Sequence, residues 1–168
     1  MNPQFKRGSV LEWYVYITWA CVILAFVLAL LGKVVRLPVL VFGLPLTLWA
    51  ATPRQFLQGR IQQPELFILL LFALAAWIEG SAVFIMRQDT VGLVGGFMMG
   101  LMPLFYYRGR KVLGTWLAFL TLQLLAIVSV VAMNSLREYF LFLIYLVLSV
   151  FNLNLLHLYH FSKASLPK

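Results

Sequence analysis

Long apolar stretches alternate with short polar turns along this chain, and six stretches stand out: 10–31, 37–51, 66–86, 91–107, 112–133 and 139–159. Most approach or pass the roughly 18–20 residues that a helix needs to cross a bilayer. The pattern predicts an all-α fold, a polytopic membrane bundle of about six transmembrane helices forming one integral membrane domain over 1–168. The second stretch is the exception. At about 1.5 Å per residue it reaches some 22 Å, short of the roughly 30 Å hydrocarbon core. Pro45 falls inside it, removes a backbone hydrogen bond and invites a kink. Carbonyls freed in lipid need protein neighbours, so the sequence places this short kinked helix inside the bundle. Thr52-Pro53 then reads as the N-cap and first residue of an interfacial helix over 53–63, with Phe56, Leu57 and Ile61 opposite Arg54, Gln55 and Gln58.

Composition strengthens the membrane reading. Of the 168 residues 63% are hydrophobic and 11% charged, and the mean hydropathy is +0.95, which excludes an ordinary soluble domain. The net charge of +8 is scattered singly or in threes between apolar runs, so it does not form the basic stripe that nucleic acid requires. It sets topology instead. Nine of the thirteen Lys and Arg residues fall on one side of the predicted spans, among them Arg108, Arg110 and Lys111 of a basic inner loop, and four on the other. The positive-inside rule then puts both termini in the cytoplasm. The first span follows Lys6 and Arg7 but is too long for a signal core, and it reads as a retained anchor. Cys21, the single cysteine, sits within it and has no partner for a disulfide.

The fourth stretch carries the most specific packing signal. Gly92, Gly96 and Gly100 recur every fourth residue, so on a helix they share one face. In lipid, small residues that let backbones touch drive helix association. This face is expected to hold a membrane-protein partner or a second copy of the chain, and the bilayer itself is the other partner. Intramembrane polar residues are few: Glu79, Gln123, Asn152, Asn154 and His157. An ionisable group within a span costs a few kcal/mol and raises a functional hypothesis by default. The plainer expectation is that Glu79 bonds Asn134 or a tyrosine, or reaches Arg87, and that Asn154 and His157 make interhelical hydrogen bonds. No catalytic constellation, cofactor motif or metal set is evident. His157 and His160, three apart, lack the further ligands that a metal site needs.

Two stretches resemble a known family. Leu30-Leu31-Gly32-Lys33-Val34-Val35-Arg36-Leu37-Pro38 is similar to the motif after the first helix of the bacterial transglutaminase-like TgpA family. Leu104-Phe105-Tyr106-Tyr107-Arg108-Gly109-Arg110-Lys111 resembles its charged turn between helices four and five, though this turn is wholly basic where the family's usually includes acids. The resemblance covers only the family's N-terminal membrane module. It implies a multi-pass protein of the bacterial inner membrane, with the Cys-His-Asp chemistry of the family's periplasmic domain outside these residues. Cys21, buried in a helix, does not stand in for that nucleophile.

Three functions follow as expectations. The first is a non-catalytic inner-membrane scaffold or partner subunit of an envelope-associated complex, working through the glycine face and the basic inner loops; it predicts that Glu79→Gln changes little. The second is a small transporter or channel in which Glu79, Gln123, Asn152 and Asn154 line a polar path beside the kinked helix; it predicts that Glu79→Gln abolishes flux. No internal repeat is obvious in the residues, which counts against the second. An intramembrane enzyme ranks last for want of paired acids, a Ser/His dyad or a metal triad.

Overall fold

The computed structural model describes residues 3–52, 63–87, 89–108, 112–132 and 136–164, and all regular secondary structure among them is helical. The helices are α1 (Pro3–Leu31), α2 (Leu37–Ala51), α3 (Gln63–Arg87), α4 (Thr90–Arg108), α5 (Val112–Val131) and α6 (Leu136–Ala164). They fall on the six apolar stretches. α1, α3 and α6 run past their apolar cores into flanking polar sequence, because backbone hydrogen bonding continues where hydrophobicity stops. The proposed interfacial helix lies outside the described residues except for Gln63, which opens α3. Thr52 closes α2: its N–H donates to Trp49 O, and its hydroxyl donates to Leu48 O at 2.8 Å. Asn134 and Ser135 also lie outside the described residues.

The bundle is apolar on its surface, with polar side chains inside. Phe67, Leu71, Ile78, Val131, Phe140, Val147 and Phe151 stand exposed, whereas Thr18, Thr47, Thr121, Ser129, Ser149 and Asn152 are buried. Water would penalise that outer surface and lipid does not. Five helices contain stretches long and apolar enough to cross a membrane: Glu12–Leu31, Glu65–Met86, Thr90–Tyr107, Gly114–Val131 and Tyr139–Leu158. The chain is a multi-pass membrane protein of helical-bundle architecture.

α1 packs on α2, α5 and α6, and α4 packs on α2, α3 and α5. Three of the buried hydroxyls are kept from competing for distant partners by bonding their own helix. Thr47, Thr121 and Ser129 each donate to the carbonyl four residues back, at 2.7 Å. α2 departs from expectation. It is helical straight through Pro45, and only Val39, Gly43 and Thr47 are buried, while Leu37, Val41, Phe42 and Pro45 are exposed. It therefore lies at the bundle surface with one stripe turned inward. A Cβ on Gly43 would lie 2.8 Å from the Phe72 ring, so the glycine sets how closely α2 approaches α3.

The turn between α1 and α2 is a tight helix stop. Lys33 N–H donates to Leu30 O at 3.1 Å and Val34 N–H to Ala29 O at 3.0 Å, the paired bonds of a Schellman motif. The left-handed position, usually glycine, is here Lys33 with φ 53°. Holding an L-residue there costs about 1–2 kcal/mol. Lys33→Gly is therefore expected to raise stability by about 1 kcal/mol, after glycine's greater unfolded-state entropy is discounted. Reversible unfolding in mixed detergent micelles measures it.

Candidate functional site

The glycine face of α4 is closely packed, and what it meets is α3 of the same chain. A Cβ on Gly96 would lie 2.8 Å from Ala76 O and 2.9 Å from Gly80 Cα; one on Gly100 would lie 2.6 Å from Trp77 Nε1 and 3.0 Å from Ala73 O. A Cβ on Gly92 would lie 2.8 Å from Val83 Cγ1. All three glycines are buried. The partner or second copy expected at this face is thus replaced by α3: the face is spent inside the bundle and has no room for another helix. Nearby, Trp77 stacks on Phe97 with centroids 5.3 Å apart. On its other side α4 meets the α1–α2 turn, where a Cβ on Gly95 would strike Val34.

Toward the start of α4 the close packing opens into a cleft of about 50 Å³, enough for a few waters. Its mouth carries Lys33 and Arg36 from the α1–α2 turn and Asp89 from the α3–α4 turn, and its wall includes Glu79, Val83 and Gly92. It continues to Ala76 and Gly96. Ala76 lies near the middle of the Glu65–Met86 stretch. From Asp89 to Gly96 the cleft descends about 10 Å along α4, at 1.5 Å per residue. A polar opening at one end of the bundle therefore reaches close to the centre of the apolar layer.

Glu79 is the chemical focus of this cleft. Arg36 Nε lies 3.8 Å from Glu79 Oε1, and that oxygen is buried without a hydrogen bond. The pair is a loose ion pair rather than a bidentate clamp. Arg36 ends the turn as the N-cap residue of α2; its guanidinium, a donor with no acceptor, cannot cap the helix N–H groups and lines the cleft instead. Asn134 and the side chain of Arg87, expected as partners of Glu79, lie outside the described residues; the cation described beside it comes from the α1–α2 turn. Asp89 has a separate duty. Its Oδ1 accepts from Val91 N–H at 3.0 Å and Gly92 N–H at 3.2 Å, capping α4. Asp89→Ala is expected to lower stability by about 1 kcal/mol, read as a fall in thermal midpoint in detergent.

The other polar residues do not join this site. Asn152 is buried and accepts a hydrogen bond from Thr18 Oγ1 at 3.0 Å, tying α6 to α1. Asn154 faces outward and donates to Val150 O of its own helix at 3.0 Å, so it does not make the expected interhelical bond. His157 is exposed, and the side chain of His160 is outside the described residues. Gln123 lies beside the wholly buried Tyr145, but neither Gln123 Nε2 nor Tyr145 Oη completes a hydrogen bond. A single polar path through Glu79, Gln123, Asn152 and Asn154 is therefore not assembled. The inner loop residues Arg110 and Lys111, with the side chain of Arg108, lie outside the described residues.

Sequence reasoning found Glu79 but missed Arg36 and Asp89 as its surroundings. The signal was present in depth: Glu79 lies two turns from the end of its span, and Arg36 and Asp89 belong to the turns at that same end. Cys21 is fully buried, as expected of a thiol inside a span. Among the described residues no three His, Cys, Asp or Glu side chains gather as a metal site would require. No known protein family, curated protein or solved structure matches the chain.

Proposed function

We propose that the chain is a small membrane carrier whose working group is Glu79, and that it moves a proton or a small monovalent cation. One observation carries this reading: a cleft with a charged mouth runs from one end of the bundle toward the middle of α3, and its wall carries Glu79, one of whose carboxylate oxygens lacks a hydrogen bond. A structural carboxylate at that depth would have its lone pairs filled, because leaving one bare costs on the order of 1–3 kcal/mol. A water-sized cavity beside a bare oxygen suits a proton or a hydrated cation, not a bulky solute. Arg36 holds the carboxylate when no cargo is bound and withdraws toward solvent when one is. The orientation follows the positive-inside rule, with both termini cytoplasmic and the cleft facing the opposite side. The test is flux in sealed vesicles of the purified chain. Protons are followed by an entrapped pH dye under an imposed potential, and sodium and potassium by isotope. Flux of at least one above protein-free vesicles is expected, and none above background for all three would overturn the reading.

A second reading is favoured by a different observation. Within the stretch 30–38 that resembles the TgpA family, Lys33, Val34, Val35 and Arg36 line this cleft, where a membrane partner's polar segment would dock. The chain would then be a scaffold or partner subunit in a bacterial inner-membrane, envelope-associated complex. Purification from native membranes in mild detergent separates the two: a stoichiometric transglutaminase-like chain supports the scaffold.

A further inference from the structure

Helix neighbours in this bundle obey a rule that residue identities conceal. Exchanging α1 with α4, α2 with α5 and α3 with α6 returns the same set of substantial interfaces. The α1–α6 contact becomes α4–α3, α1–α5 becomes α4–α2, α1–α2 becomes α4–α5, and α2–α3 becomes α5–α6.

Burial follows the same exchange. Between Thr18 and Ala29 of α1 there are seven buried positions, and between Gly92 and Pro103 of α4 there are seven, each 74 residues after its counterpart. Thr18 maps on Gly92, Cys21 on Gly95 and Val22 on Gly96. In α2 and α5 the same offset maps buried Thr47 on buried Thr121, and each donates to the carbonyl four residues back. In α3 and α6 the match is looser: an offset of 73 maps buried Phe72 and Ala76 on buried Tyr145 and Ser149 and half-buried Glu79 on buried Asn152, while buried Leu69, Ala73 and Gly80 fall on positions that are not buried. Two amphipathic helices always match at some register. Periodicity does not explain why one offset serves α1/α4 and α2/α5, a register one residue shorter serves α3/α6, and the interfaces exchange as well.

The halves run in opposite directions. Phe26 meets Gly43 across the tight α1–α2 turn, so α2 returns antiparallel to α1. α2 then runs parallel to α4, with Val34 and Val35 at its start beside Gly95 and Trp49 near its end stacked on Tyr107. α4 therefore runs opposite to α1. Inverted three-helix repeats of this kind recur in transporters, with the binding site near the midplane between the halves.

We infer that the Thr18–Asn152 contact between α1 and α6 is the closed counterpart of the Glu79 cleft, and that the two alternate, so that when the cleft shuts a second opening reaches Asn152 from the opposite membrane face. The cleft side is open, with Glu79 and Gly92 both on its wall. The corresponding pair, Asn152 and Thr18, is closed on a direct 3.0 Å hydrogen bond. An asymmetric pair of equivalent sites, one open and one shut, is what an inverted repeat presents in one of its two end states. The inference deepens the carrier reading and rests on it for its functional meaning; the geometry of the repeat does not depend on flux.

The test uses single cysteines in a Cys21→Ser chain in sealed vesicles of known orientation, with a small, permanently charged and membrane-impermeant thiosulfonate added outside or entrapped inside. Glu79→Cys is expected to react from one side. Asn152→Cys is expected to react from the other side only, and at least tenfold more slowly. Reaction of both from one side, or of Asn152→Cys from neither, would overturn the inference whatever the flux result. A second measurement reads the motion. Oxidising a Thr18→Cys/Asn152→Cys pair, with the cross-link verified by mass, is expected to stop cation flux at least tenfold and reduction to restore it. Equal flux in oxidised and reduced protein would also overturn the inference. Absence of flux in the Cys21→Ser parent would refute the carrier reading instead, leaving the labelling result to stand or fall by itself.

Discussion

Gly96→Leu is expected to prevent α3 and α4 from packing and to remove the folded monomer from a mild-detergent extract. The reason is what the new side chain meets. At Gly96 even a Cβ would lie within 3 Å of Ala76 O and Gly80 Cα, both backbone atoms that no rotamer change moves. The helices must separate, and separation breaks the Gly92, Gly96 and Gly100 contacts together, because they lie along one line. Overpacking commonly costs about 1–3 kcal/mol where side chains yield. Here backbone must yield, so the loss is expected at or above that range, a large share of the roughly 5–15 kcal/mol that holds a typical domain. Size-exclusion chromatography and thermal unfolding in detergent report it. Gly80→Leu, entering the same contact from α3, is expected to do the same. Replacing Phe97, on the exposed side of α4, with Leu is expected to leave the monomer intact.

Glu79→Gln is expected to reduce cation flux at least tenfold while leaving the fold in place. The substitution keeps the shape of the side chain and removes the charge that cargo and Arg36 share. Arg36 is about half exposed, so releasing it leaves no buried cation behind. The ion pair is long and partly solvated, which limits its stability contribution to about 1 kcal/mol or less. Unfolding midpoints of the variant and parent are therefore expected to lie close together while their fluxes separate. A large fall in the midpoint with flux retained per folded molecule would assign Glu79 a structural role instead.

The helices were legible in the sequence because lipid selects them by length and hydropathy, and six apolar stretches became six helices. The glycine face was legible too, but not its occupant. Spacing every fourth residue identifies a surface made for close approach without saying whether α3 or another chain fills it. α2 was misplaced because Pro45 was taken to demand shelter. The described α2 remains helical through Pro45, with the proline outward and a buried Gly43–Thr47 stripe inward. Asn154 was misread for a related reason. A polar side chain in lipid needs one good acceptor, and the carbonyl of Val150 in its own helix supplies it. Glu79 was found by depth alone, but its partner lay 43 positions earlier on a different turn, and spacing along the chain carries no information about such a meeting. The repeat left almost no trace in identities because lipid-facing and core positions accept many apolar residues. What persists is the order of buried and exposed positions, together with the exchange of neighbours.

The claim on which the account turns is that water reaches Glu79 near the middle of the membrane along one face of α3. A cysteine scan from Leu74 to Met86 in the Cys21→Ser chain, read with a membrane-impermeant thiol reagent in sealed vesicles, measures this directly. The account predicts labelling from one side at Glu79 and Val83, more slowly at Ala76, with the lipid-facing positions Leu74, Ile78 and Ile85 silent. Labelling that stops at the helix end, or that is strongest at the lipid-facing positions, would contradict it.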